Sequence, residues 1–221
     1  MVIFVIAMDS EAKPLIDNMT GVTRTRVYEK NIVSGKLCGQ DVRAVICGVG
    51  KVNAAAGAQY AIDRLNADII VNIGVAGGLN DGTRVGKIYG ISSAVQYDFD
   101  LVQLNHTKIG TLNEFEENYI PIQTRSLFPL KKLATGDRFN DSGEDFRLLT
   151  NVLGADIRDM EGGAIAQVCK HAGVPFYSFK AISDVAGSGS TTKQYLNNLN
   201  ACALSIDKEI KNIFEAVSRY E

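Results

Sequence analysis

Short continuous apolar runs alternate along this chain with longer stretches of mixed polarity. The runs at 2–7, 31–37, 42–47, 68–73, 86–95 and 174–182 predict strands, and several are β-branched throughout, as strands buried on both faces are. Helices are predicted over 10–19, 52–65, 143–152, 161–172 and 192–219. The alternation predicts a three-layer α/β/α sandwich around a central, mostly parallel or mixed sheet. Segment 100–130, with His106 and Pro121, is the least regular and reads as a long loop or an excursion at one edge.

A length of 221 residues, about half of them apolar, suits one domain over 1–221. The net charge is −2, both signs are interspersed, and there is no Lys/Arg-rich tract, so no nucleic-acid partner is expected. The run Val2–Ala7 is too short to span a membrane and has no basic flank. It reads as a first strand rather than a signal peptide. Cys38, Cys47, Cys169 and Cys202 form no Cys-x-x-Cys pair, and there are two histidines. A metal site is therefore not expected, and the cysteines read as reduced and buried in a cytoplasmic protein.

Glycine clusters fall where strands are predicted to end. Cys47-Gly48-Val49-Gly50-Lys51 and Gly74-Val75-Ala76-Gly77-Gly78 read as turns at carboxyl ends, where open α/β sheets bind ligands. Gly48-Val49-Gly50 lacks the third glycine of a dinucleotide fingerprint, and no phosphate-binding Gly-x-x-x-x-Gly-Lys-Ser/Thr loop is present. The pair fits a tight turn as well as a ligand-facing loop.

Three acids stand at element junctions. Asp9-Ser10-Glu11 opens a helix that Asp9 or Ser10 can cap, and Glu11 then sits where backbone N–H groups favour its ionised form. Glu161 precedes Gly162-Gly163, a pair that costs a helix start about 1–2 kcal/mol and signals close approach of a ligand or another backbone. Ser183-Asp184 follows a buried strand, where partial desolvation raises a carboxyl pKa. Taken singly, each has a plain reading: a first-turn Glu, a helix-start Glu and a turn Asp. Together they suit hydrolysis of a nucleoside. One acid protonates the departing base, one activates water, and one holds the ribose hydroxyls while oxocarbenium charge develops.

At these residues the chain resembles the 5′-methylthioadenosine/S-adenosylhomocysteine nucleosidases of the nucleoside phosphorylase superfamily. The matching segments run in order: Ala7–Glu11, Gly48–Ala55, Asn72–Leu79, Val85-Gly86, Gly136–Phe139, Met160–Gly162 and Ala181–Asp184. The resemblance implies roles. Glu11 activates water, Asp184 protonates adenine at N7 with Ser183 holding it, and Glu161 binds ribose hydroxyls with Met160 against the sugar. Phe139 stacks on the base with Asn140 beside it, and Val75, Ala76 and Gly77 lie near the water and ribose. It also implies a homodimer and no metal or organic cofactor. Glu11 stands where many phosphorylases of the superfamily have arginine, which favours water over phosphate.

Departures from the family pattern concern the substrate's ends. After Tyr97-Asp98-Phe99-Asp100 the chain continues Leu101–Thr107 without the usual aromatics; Thr192 stands where an aromatic is frequent; Lys180 replaces a frequent arginine; Asn140 replaces an apolar residue. The alternatives carried forward are a purine nucleoside phosphorylase, a nucleosidase for another 5′-modified nucleoside such as a futalosine-type compound, and a non-catalytic nucleoside-binding protein.

Overall fold

The computed structural model describes residues 1–218. In chain order it contains β1 (Val2–Ile6), α1 (Asp9–Asp17), β2 (Thr20–Val27), β3 (Lys30–Leu37), β4 (Gln40–Ile46), α2 (Lys51–Leu65), β5 (Ile69–Gly78) and β6 (Ile88–Gln96). There follow α3 (Val102–Asn105), β7 (Ile120–Pro121), β8 (Leu130–Thr135), α4 (Gly143–Arg147) with a π-helical turn at Leu148–Val152, β9 (Ile157–Asp159), α5 (Gly162–Ala172), β10 (Phe176–Val185) and α6 (Thr191–Ser218). The helix predicted to reach 219 is seen to Ser218; position 219 lies outside the described residues.

The sheet is mixed. β1 lies between β4 and β5 and is parallel to both; β5 is parallel to β10, and β6 runs antiparallel to β10. One end closes on itself, because β5 pairs with β10 on one side and with β9 on the other, while β6 and β8 link those two strands. At the other end β4, β3 and β2 extend the sheet as an antiparallel ribbon.

Alternation along β1 explains the three layers. Ile3 and Val5 point to Ala54, Ala58 and Ala61 of α2, while Val2, Phe4 and Ile6 point to Leu15 of α1 and Ile206, Ile210 and Phe214 of α6. A strand apolar on both faces can be buried only between two helical layers, since successive side chains alternate sides.

Several boundaries differ from expectation. β2 is exposed along its length and reads Thr-Gly-Val-Thr-Arg-Thr-Arg-Val, so its polar surface hides it from an apolar-run criterion. Gly74–Gly78 is not a turn: β5 continues to Gly78. Likewise β10 runs to Val185, which places Asp184 inside the strand, beyond a register shift at Ile182. Neither Asp9 nor Ser10 caps α1; the helix begins at Asp9 with Met8 in the cap position. Segment 100–130 holds only short elements, α3 and β7, as its irregular sequence predicts. Three cysteines are buried, but Cys38 is exposed just beyond β3, against the expectation of burial.

Candidate active site

A cavity of about 350 Å³ opens where β1, β5 and β10 end, bounded by the start of α6 and the loop before α2. This volume is within the roughly 300–1,000 Å³ common for small-molecule sites. Glu11, Glu161 and Asp184 all line it, together with Met160, Phe139, Ser183, Val75, Ala76 and Gly77. Nine of the ten residues singled out in sequence thus meet in one cleft.

Asn140 is the exception. Its amide donates to Asp145 (2.8 Å) and its side-chain oxygen accepts from Ser142 N (3.0 Å), and it lines a neighbouring cavity instead. The helix start after Ser142 provides a polar partner that holds the side chain away from the cleft.

Glu11 reaches the cleft from the first turn of α1. Oε1 accepts from Val75 N (2.8 Å) and Oε2 from Met8 N (3.3 Å). The bond to Val75 forms because β5 carries glycine at 74: a Cβ there would lie 2.6 Å from Oε1. Burial raises the Glu11 pKa, a larger effect than the lowering by Lys180 and the two N–H groups. The expectation that its helix position favours the ionised form is corrected here, because desolvation outweighs a helix N-terminus.

Glu161 ends the segment after β9 and occupies the N-cap position of α5; Oε1 accepts from Gly50 N (2.9 Å). Gly50 has φ +99°, a conformation that favours glycine, so the Gly48-Val49-Gly50 loop faces the site. Burial, then the neighbouring Asp159, pushes the Glu161 pKa up to about 7. The glycines after it serve packing: a Cβ on Gly162 would lie 2.4 Å from Leu133, and one on Gly163 would lie 3.0 Å from Thr135, so the pair lets α5 approach β8.

Asp184 is 2% exposed. Oδ1 accepts from Ser183 Oγ (2.7 Å), while Oδ2 is buried with no hydrogen-bond partner. Burial raises its pKa more than Ser183 and Arg158 lower it. A buried oxygen without a partner costs free energy unless it carries a proton to share or meets a donor on a ligand.

Sequence reasoning assigned no role to several residues in and beneath the cleft. Tyr195, on α6, packs edge-on against Phe139 at 5.4 Å between ring centroids and supplies an aromatic three residues after Thr192; both Thr192 and Tyr195 line the cleft. Lys180 and Asp159 form a buried ion pair beneath the two glutamates. Burial alone would lower the Lys180 pKa, but Asp159, Glu161 and Glu11 together raise it. Arg138 and Arg158 also line the cavity, and Arg138 pairs with Asp145 at 3.0 Å. Among the described residues no cluster of three or more metal-ligating side chains occurs, and no helix is long and apolar enough to cross a membrane.

The profile of the phosphorylase superfamily matches residues 1–217. A 5′-methylthioadenosine/S-adenosylhomocysteine nucleosidase from Shewanella halifaxensis is 31% identical over 198 residues, covering 83% of this chain and 86% of the relative. The chain belongs to this nucleosidase family within the phosphorylase superfamily. A solved nucleosidase of the same name from Colwellia psychrerythraea, in complex with adenine, matches with TM-score 0.89 and 26% identity over 97% of this chain and 94% of that one. Futalosine hydrolase of Helicobacter pylori shares the fold, with TM-score 0.88 at 22% identity over 97% of each chain. The nucleosidase is thus an N-glycosyl hydrolase with the mixed α/β fold expected from its strand and helix pattern.

Proposed function

We propose that this nucleosidase hydrolyses the N-glycosidic bond of 5′-modified purine nucleosides of the 5′-methylthioadenosine and S-adenosylhomocysteine kind, and that Asp184, Glu11 and Glu161 divide the chemistry. The observation that carries the reading is the buried, unpartnered Asp184 Oδ2 in the same cavity as two buried glutamates. Asp184 holds a proton and donates it to N7 of the base. The C1′–N9 electron pair leaves with the base, and the ribose takes on oxocarbenium charge. Glu11 accepts a proton from the water whose oxygen bonds C1′. Glu161 accepts from ribose hydroxyls, and Phe139 with Tyr195 supplies an aromatic wall for the base.

Water rather than phosphate fits as the nucleophile. The side of the cleft beside Glu11 and Glu161 is anionic, and the ammonium beneath it, Lys180, is paired with Asp159. Carboxylates on that side repel a phosphate, which is held best by unpaired cations. Retention of a proton donor together with a water activator also favours catalysis over nucleoside sensing. The test is product analysis with 5′-methylthioadenosine: free 5-methylthioribose at a rate unchanged by phosphate supports the reading. A sugar 1-phosphate would place the chain with the phosphorylases.

A homodimer and a cytoplasmic location belong to the same reading. None of residues 100–130 lines the cleft, which supports a second copy as the cover over the 5′ substituent. That same fact leaves room for the second reading, a different 5′ substituent such as that of a futalosine-type nucleoside. Competition between the two nucleosides for one enzyme sample decides it.

A further inference from the structure

The base end of the cleft contains a guanidinium that the chemistry above does not use. Arg158 on β9 is the register partner of Gly77 on β5, and Gly77 is in turn the partner of Asp184 on β10. Residues directly opposed on adjacent strands project to the same face. Arg158 and Asp184 therefore flank a residue that has no side chain. The point where a Cβ on Gly77 would sit is 2.9 Å from Asp184 Oδ2 and 3.3 Å from Arg158 Nε.

Among the described residues, the cations around the cleft have carboxylate partners: Lys51 with Asp98, Arg138 with Asp145, Lys180 with Asp159. Arg158 has none at ion-pair distance. Its hydrogen bond is from Nη2 to the Asn140 carbonyl, 2.8 Å. A guanidinium has five N–H donors and no acceptor, so most of its donors remain to be used in a half-buried place. It lines both the cleft and the adjacent cavity that holds Asp141.

In a purine, N7 and the substituent at C6 share one edge. An acid aimed at N7 therefore has the 6-substituent beside it, and the group beside Asp184 in this row is Arg158. Guanidinium donors match an oxo oxygen, and they also stabilise the charge that builds on that oxygen as the C–N pair flows into the base. We propose that Arg158 reads the 6-position of the base and admits 6-oxopurine nucleosides, the inosine-type counterparts of the 5′-thioethers, as a second substrate class. For a 6-amino base the side chain withdraws into the adjacent cavity toward Asp141. The proposal rests on the hydrolase reading and extends its substrate range.

The experiment compares 5′-methylthioinosine with 5′-methylthioadenosine on the wild type, Arg158→Leu and Arg158→Lys. It adds calorimetric binding of free hypoxanthine and adenine, which needs no turnover. The wild type should cleave both nucleosides. Arg158→Leu should lower kcat/KM about 10–100-fold more on the oxo substrate than on the amino one, the worth of a charged hydrogen bond. Arg158→Lys, still a donor, should lose less. A wild type that cleaves the adenine nucleoside alone, or an Arg158→Leu variant with an unchanged ratio, overturns the proposal and leaves the hydrolase reading standing. Selective loss of hypoxanthine binding in an enzyme that cleaves neither nucleoside would uphold the role of Arg158 and reject the hydrolase reading.

Discussion

Lys180 Nζ lies 2.9 Å from Asp159 Oδ2, with the two side chains 2% and 1% exposed. The pair is the electrostatic floor of the cleft, because Glu11 and Glu161 also act on Lys180. Removing one member of a buried pair leaves an uncompensated charge, typically at a cost of about 3–5 kcal/mol. Lys180→Met should therefore lower the unfolding free energy by that order, read as a lower denaturant midpoint, and Lys180→Arg should recover most of it. Equal midpoints for wild type and Lys180→Met would show that the cluster is neutral without the lysine.

Glycine 74 makes a separate prediction. A Cβ there would meet Glu11 Oε1 at 2.6 Å, inside contact distance. At Gly74 the β5 backbone is held by pairing with Lys180 of β10, so the far end of the Glu11 side chain is what must move. Gly74→Ala should reduce kcat by about 10²-fold, as misplacement of a reacting group by about 1 Å does, with a smaller effect on KM. Unchanged turnover would separate Glu11 from water activation.

Stability should depend on pH through Glu161. Its pKa rises from 4.5 to about 7 on folding, so the folded state binds that proton more tightly. The stabilisation is complete below about pH 4.5 and is lost as pH rises through about 7. The thermal midpoint of the wild type relative to Glu161→Gln should fall across that window. A constant difference would contradict the assignment. In catalysis the sign reverses, since the ionised form accepts from ribose hydroxyls: KM should improve as pH rises through about 7.

The layers and most of the site were legible in the chain because burial leaves a plain trace. Val2–Ile6 is apolar at every position and can only be central. Glu11, Glu161 and Asp184 stood out as acids beside apolar elements, and the ordered family segments joined them. What stayed hidden depends on contacts between distant segments. Arg158 is one charge in a three-residue strand, and its position beside Asp184 follows from pairing across β5. Tyr195 lies four residues into a long amphipathic helix, where an aromatic reads as packing. Gly74–Gly78 suggested a turn because glycine breaks strands; here the glycines make room for Glu11, Asp184, Arg158 and Thr83 beside a strand that continues.

The assignment of Asp184 as the proton donor is tested most directly by changing the leaving group. Asp184→Asn should be assayed on 5′-methylthioadenosine and on an aryl riboside whose phenolate departs without a proton. The account predicts a loss of about 10²–10⁴-fold on the purine nucleoside, with near-normal cleavage of the aryl riboside. Near-normal purine release by Asp184→Asn, or equal loss on both substrates, would contradict it.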